Sequence, residues 1–323
     1  MGRKWIVFTV GFVMALVGEI SFTLAASDYP TRYIEVIIPY APGGGTDAIN
    51  RCYKDKVEKA LGQPLVYTYK PGATGVVGSL YVKDSKPDGY TLLVASTSTM
   101  ILPPLTKRGE GAKYTMDDFA PICTFSYNPL FFCVKKDSHY KTMADFIRAA
   151  KTKKLKYSTN GVFTSAHITM EAFSREAGFQ AIHMPYSSGA AAAMTAVLGG
   201  HADMSVVGPT GIEGQLRILA VAQESRSELN PEVPSLKELG YSISKEPNYY
   251  SLWAPKGTPK EIVDKIYGAY KKALEENKSE ITNRAKGVSH IPCTLSPEEL
   301  LKVYRSTSDF FKKEIEKMGG SAK

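Results

Sequence analysis

Twice along this chain a short apolar run gives way to a turn rich in Gly or polar residues and then to an amphipathic segment, and no other feature restricts the fold as much. In the first set, residues 33–38 read as a strand, 47–61 as a helix stopped by Gly62, and 65–69 as a second strand. The glycine-rich turn "KPGATGVVGS" leads into a helix through Val82, "PDGY" turns the chain, and 91–95 form a buried strand. The pattern restarts with a strand at 130–134 and a helix at 142–151, opened by Thr142 and Asp145 as an approximate capping box. A strand at 156–158, the polar turn "TNGVFTS" and a helix at 165–177 follow. Ala166, Met170, Phe173 and Ala177 fall on one face of that helix. "AIHMPY" is a strand, 190–198 a helix stopped by Gly199 and Gly200, and "ADMSVVG" and "LRILAVA" are two further strands. Alternation of this kind predicts a mainly parallel sheet covered on both faces, formed twice in succession.

The tail differs. Thr258-Pro259-Lys260-Glu261 and Ser296-Pro297-Glu298-Glu299 each supply a cap residue, Pro at the first helical position and Glu at the third, so both open helices. Their apolar faces need a sheet, and the first unit is the natural host. The expected organisation is therefore a first domain of residues 27–124 and 251–323, interrupted by a second of residues 125–250.

Residues 1–26 stand apart. Arg3 and Lys4 precede an apolar run over 5–17, and Thr23-Leu24-Ala25-Ala26 supply small residues for a cut, the pattern of a secretory signal. The run is shorter than the ~20 apolar residues a spanning helix needs. Cleavage after Ala25 or Ala26 is expected, with export to the periplasm, and removes Arg3, Lys4 and Glu19, taking the formal net charge from +8 to +7. The basic residues are scattered; the densest group, Lys151, Lys153, Lys154 and Lys156, reads as a solvated helix end, so no nucleic-acid partner is expected. Export permits disulfides, but Cys52, Cys123, Cys133 and Cys293 contain no C-x-x-C pair and lie near no histidine at metal-ligand spacing. A structural or buried role is the simpler reading for all four, and no metal is expected.

The chemistry concentrates in "IIPYAPGGGTDAINR", residues 37–51. Gly43-x-Gly45-x-x-Ala48 fits a dinucleotide fingerprint between strand and helix, but that fingerprint needs an acidic residue about twenty positions on. No Asp or Glu lies between Lys59 and Lys83, Lys70 stands in the place, and no Walker loop occurs. What remains is bare backbone at Gly43, Gly44 and Gly45 that a ligand can approach, with the positive end of a helix dipole at Thr46 and Asp47 aimed at the same point. Thr46 can cap or donate its hydroxyl; Asp47 is most simply a first-turn acid favoured by the dipole. A small carboxylate suits such a turn as well as a phosphate does. The second unit repeats the device at Asn160-Gly161 and Thr164-Ser165, where one of the latter two reads as an ordinary N-cap. Two such helix starts, one per domain, would face a shared cleft.

These stretches resemble a known family. "YPTRYIEVIIPYAPGGGTDAINR" and "YKPGATGVVGSLYVKDSKPDGYTLL" are similar to the opening blocks of the Bug/TctC family, and "HMPYSSGAAAAMTAVLGGHADM" and "YYSLWAPKGTPKEIVDKI" to its later blocks. Members are extracytoplasmic solute receptors of tripartite tricarboxylate transporters. The resemblance implies a two-domain type II periplasmic-binding-protein fold that closes on a carboxylate-bearing solute and hands it to membrane permease subunits. It places the first ligand turn at Tyr40, Ala41, Pro42 and Gly43 through Asp47. The family's second turn, usually Gly-Ser-x-x-His-Leu, falls on Phe163, Thr164, Ser165, Ala166, His167 and Ile168, so Phe163 replaces a glycine. Relatives often carry Lys after Tyr186, where this chain has Ser187, which counts against a highly charged ligand such as citrate. Tyr186 and the segment 96–99, including Ser98, are candidate pocket walls, and His167 is a candidate contact that more simply reads as a packed neutral hydrogen-bonder.

The expected protein is thus a monomeric solute receptor without cofactor or catalysis. A sensor that signals to a membrane kinase would use the same closure. An exported nucleotide-binding enzyme is the third alternative; it would need a nucleophile and base, yet there is no G-x-S-x-G or H-E-x-x-H, and Ser165 and His167 sit two apart on a helix, where side chains do not face each other.

Overall fold

A computed structural model of the chain describes residues 28–106, 112–186, 189–207, 214–242 and 247–319; the expected signal segment and Ser187 lie outside them. Eleven strands and nine α-helices occur among these residues, in two sheets.

The first sheet has the order β11(Ile291–Leu295), β4(Phe119–Asn128), β10(Asn248–Pro255), β3(Thr91–Ser96), β1(Ile34–Ile38), β2(Leu65–Tyr69). Strand β1 is parallel to β2 and β3, but β10 is antiparallel to both β3 and β4, and β11 is antiparallel to β4. The second sheet has the order β7(Ala181–Pro185), β6(Leu155–Thr159), β8(Met204–Val207), β5(Phe131–Lys135), β9(Leu216–Val221). There β6 is parallel to β7 and β8, whereas β5 is antiparallel to β8 and β9. The expectation of mainly parallel sheets is therefore corrected to mixed ones. The strands next to the crossovers cause it: β4, β5, β9 and β10 are not linked to their neighbours by strand–helix–strand units, the connection that enforces parallel pairing.

Helices cover both faces of the first sheet. On one side lie α1(Gly45–Leu61), α7(Lys260–Glu276) and α8(Lys278–Lys286), over Val36, Leu92, Phe125 and Leu252. On the other lie α2(Val76–Lys83), α3(Thr97–Leu105) and α9(Pro297–Lys317), over Ile37, Leu93 and Trp253. Val36 and Ile37, or Leu92 and Leu93, thus enter opposite cores, and the near-continuous apolar runs follow from burial on both faces. In the second sheet α4(Met143–Thr152) and α5(Ser165–Ala177) cover Phe132, Tyr157 and Met204, and α6(Ala190–Leu198) packs Ala193 and Met194 on Val207.

The capping boxes at Thr142 and Ser296 form as expected, each with the third-position acid returning to the cap amide. The one expected at Thr258 does not: its hydroxyl donates to Pro255 O, and the helix begins after Pro259 without a side-chain cap.

Register places the site. Tyr250 pairs with Ser96, Asn248 with Asn128 and Ile291 with Tyr127, so the ends of β1, β3 and β4 and the starts of β10 and β11 share one edge. In the second sheet the ends of β6, β7, β8 and β9 share an edge with the start of β5. Only two residues separate Asn128 from Phe131, so these two edges adjoin. Helix α9 of the first unit also reaches α5 of the second, where Glu314 pairs with Arg175 and accepts from Lys317 at 2.6 Å.

Candidate functional site

Gly44 is the N-cap of α1, in extended conformation and without a side-chain cap bond. The helix therefore begins two residues earlier than expected. The backbone N–H groups of Gly44, Gly45 and Thr46 find no acceptor among the described residues, as first-turn amides do unless something external supplies one. Ala41, Pro42 and the three glycines are exposed, while Thr46 and Asp47 are buried. Gly43 alone of the three adopts a positive φ, +80°, which lets the strand-to-helix turn close.

Asp47 holds this turn from inside. Its Oδ2 accepts from Gly43 N–H at 2.8 Å, and its Oδ1 accepts from Arg51 Nε at 2.9 Å and from the Tyr69 hydroxyl at 3.0 Å. Burial pushes its pKa up, but the Gly43 amide, Arg51 and Tyr69 together outweigh that and hold it below the ordinary carboxylate value. Its oxygens are thus engaged by the chain itself, in keeping with a first-turn acid.

Tyr40 ties the turn to α3. Its hydroxyl and Thr99 Oγ1 are 2.7 Å apart, and Ser96 caps α3 by accepting from Thr99 N–H. Helix α3 was not legible in the sequence because Pro103 and Pro104 sit within its last turn. The carbonyl of Thr99, which would have accepted from residue 103, instead accepts from the Tyr114 hydroxyl at 2.9 Å. Ser98 donates from Oγ to Asn248 Oδ1 at 3.2 Å, and Asn248 Nδ2 donates to Asn128 Oδ1 at 3.3 Å. Asn248 therefore clasps the last residue of β4 to the start of α3 where the chain crosses between units.

In the second unit Thr164 is the N-cap of α5. Its hydroxyl accepts from His167 N–H at 3.3 Å and donates to Gly161 O at 3.0 Å, which commits its single proton. Thr164→Ala should cost about 1 kcal/mol of stability through the lost cap, read by thermal melts of the ligand-free protein. His167 is buried; its Nδ1 accepts from Phe163 N–H at 3.0 Å and its ring stacks on His183 at 3.9 Å. Burial lowers the His183 pKa to about 4, so that ring is neutral at neutral pH. Asn160 is exposed at the turn, and Ser165 is half-buried. Tyr186 packs against two small clusters that α6 contributes to, one with Ala193, Met194 and Val207 and one with Ala196, Val197 and Ala202.

Phe163 has φ +52°, the left-handed region that a glycine enters freely, and its ring joins the core cluster of Ile37, Trp253 and Ile168 that spans the two units. The substituted glycine thus trades backbone strain for an apolar contact across the units. Phe163→Ala should lose the contact and keep the strain, whereas Phe163→Gly should be about 1 kcal/mol more stable than the Ala variant, reversing the usual order of those residues. Equal denaturant midpoints for the two would contradict this.

A cavity of about 300 Å³ lies between α3, α5 and α9. Ser165 and Thr169 meet Thr97 and Asn248 there, but none of Gly43 to Asp47 lines it, nor does Tyr186. The structure thus brings the α5 start to the α3 start, and joins the α1 turn to α3 through Tyr40 and Thr99. Thr97 and Thr99 lie in the segment 96–99 expected as a pocket wall, and Ser96-x-x-Thr99 has cap spacing; Asn248 carried no local signal in the sequence. All four cysteines are free, with Cys52, Cys123 and Cys133 buried.

Residues 49–302 match the model of the tripartite tricarboxylate transporter family receptor, TctC. The UPF0065 protein in gbd 5′ region of Cupriavidus necator is 38% identical over 256 residues, 77% of each chain. A TctC solute-binding protein from Polaromonas superposes with a TM-score of 0.76 at 32% identity, covering 90% of this chain and 99% of that one. An R. palustris protein solved with adipate shares the fold, with a TM-score of 0.78 at 23% identity over 91% and 99% of the chains. The two-domain periplasmic-binding architecture is that of these neighbours, and the Polaromonas one is a solute-binding protein. With the match spanning most of its length, this chain belongs to the TctC receptor family of tripartite tricarboxylate transporters.

Proposed function

We propose that this receptor works in the periplasm, captures a small carboxylate-bearing solute between its two sheets and delivers it to a membrane permease, without catalysis. The observation that carries this reading is the row of unpaired amides at exposed Gly44 and Gly45 and buried Thr46, at the positive end of a 17-residue helix. A carboxylate supplies the acceptors those donors lack. A neighbour with adipate supports the same ligand class, and the glycine-for-nucleotide reading lacks its acidic partner.

The lobes divide at the crossovers, near residues 125 and 250, with the Asn128–Asn248 contact at the hinge. Closure brings the α1 turn, Ser98 and the α5 turn onto one ligand and shifts an open–closed equilibrium by the ligand's differential affinity. Ser187 in place of a cation, and the ring of Phe163, favour a mono- or dicarboxylate over citrate.

A thermal-shift screen of residues 27–323 tests this, with dicarboxylates, aromatic carboxylates, amino acids, citrate, NAD and ATP. A ligand at a hundred times its Kd stabilises by about 2.7 kcal/mol, a rise of several degrees. A shift with carboxylates alone supports the reading; a shift with NAD or ATP alone overturns it.

A further inference from the structure

His290 is buried in a place that the first ligand turn does not predict. It precedes β11, at the edge of the first sheet that carries the site, and is 2% exposed. Its ring meets Tyr250 edge-on at 4.5 Å, and its Nδ1 lies 3.2 Å from Ser126 Oγ. The other ring nitrogen, Nε2, has no hydrogen-bond partner among the described residues. That nitrogen points at the start of α1: a Cβ built on Gly45 would lie 3.8 Å from it, and it is the nearest atom to that position.

Nε2 is thus free to take a partner from outside the chain. Gly44, Gly45 and Thr46 present only N–H donors there, so the α1 start could serve Nε2 only in the tautomer where that nitrogen is the acceptor. In neutral imidazole one nitrogen donates and the other accepts. If the Ser126 hydroxyl donates to Nδ1, the proton sits on Nε2, and two independent sets of donors then face one space. A single acceptor between them satisfies both.

We propose that His290 is a ligand-binding residue, whose Nε2–H donates to the same carboxylate that the Gly44, Gly45 and Thr46 amides hold. This rests on the carboxylate-receptor reading above. Burial lowers the His290 pKa to about 3, so the ring offers a neutral hydrogen bond and no charge. The subsite then neutralises nothing and selects by geometry: a planar carboxylate end is taken with the backbone amides on one oxygen edge and the imidazole on the other.

The test is isothermal titration of the mature protein with adipate and with L-malate, for the wild type, His290→Phe and His290→Gln. Phe keeps the ring's volume against Tyr250 and removes the donor; Gln retains an N–H. Expected is a loss of roughly tenfold or more in affinity for Phe and substantial retention for Gln, with both variants melting as cooperatively as the wild type. In ¹⁵N-resolved spectra of the wild type, the imidazole proton should reside on Nε2 and move downfield when adipate or malate is added. Wild-type binding that His290→Phe leaves unchanged overturns the role of His290 alone. A proton found on Nδ1 in the complex does the same, even if Phe weakens binding. Failure of the wild type to bind either dicarboxylate while NAD or ATP binds removes the receptor reading, and this inference with it.

Discussion

Replacing Gly44 with Val should abolish solute binding and leave the protein folded. Three glycines adjoin in the turn, and only one allows a clean experiment. Gly43 has φ +80°, where any side chain is strained, and a side chain on Gly45 would bear on His290 as well as on the turn, mixing two effects. Gly44 has φ −73° and ψ 169°, an extended conformation that Val adopts readily. A Cβ there meets only Ala41 O, at 3.5 Å, an ordinary contact. The fold should lose no more than about 1 kcal/mol, for a poorer N-cap residue. Binding should suffer far more. A branched side chain on the exposed turn keeps a carboxylate from the bare amides, and each hydrogen bond to a charged group contributes about 1.5–3 kcal/mol. Two such bonds lost amount to a fall in affinity of roughly a hundredfold or more. Gly44→Ala should fall between wild type and Val, because one methyl group hinders approach less. Calorimetric titration beside thermal melts separates the effects: undiminished affinity in the Val variant would remove the turn from the binding site.

Much of this turn was readable before any coordinates. A strand, a glycine-rich bend and an acid in the first helical turn carry their physical meaning locally, and α1, α5 and the capping boxes at Thr142 and Ser296 follow from neighbours in sequence. The failures share a different origin. The antiparallel placement of β10 depends on where the chain returns after the second unit, which no local period encodes. Thr258 has a capping spacing, yet Pro255 O lies closer to hand for its hydroxyl. Helix α3 survives two prolines because Tyr114, fifteen residues on, supplies a donor to Thr99 O. His290 and Asn248 gain their positions from strand register at the sheet edge, more than two hundred residues from the Gly44 turn. Thr164 and His167 show a subtler limit. Their residue types suit ligand contact, but the capping bond and the bond from Phe163 N–H give those atoms internal partners.

Asp47→Asn should destabilise the protein by about 2 kcal/mol at neutral pH, since the buried carboxylate is the common acceptor of Gly43 N–H, Arg51 and the Tyr69 hydroxyl. Asn keeps the shape but offers one acceptor oxygen, and its amide N–H₂ must face either an amide donor or a guanidinium. Arg51 is half exposed, so its charge contributes the lesser part; the Gly43 amide and Tyr69 matter more. The pH dependence gives an independent check. A carboxylate whose folded pKa lies below its unfolded value, ~3.9, contributes its full stability above that unfolded value. As pH falls below it, toward and through the lowered folded pKa, the contribution is lost. The stability gap between wild type and Asp47→Asn should therefore be constant from neutral pH to about 5 and narrow below about 4. Subtracting the two curves cancels the other titrating groups, His183 and His290 included. Because Gly43 N–H is the donor released, the turn should also loosen, and affinity should fall with it. A gap that widens in acid would mean that the carboxyl is protonated in the folded protein, and that the turn is held by something else.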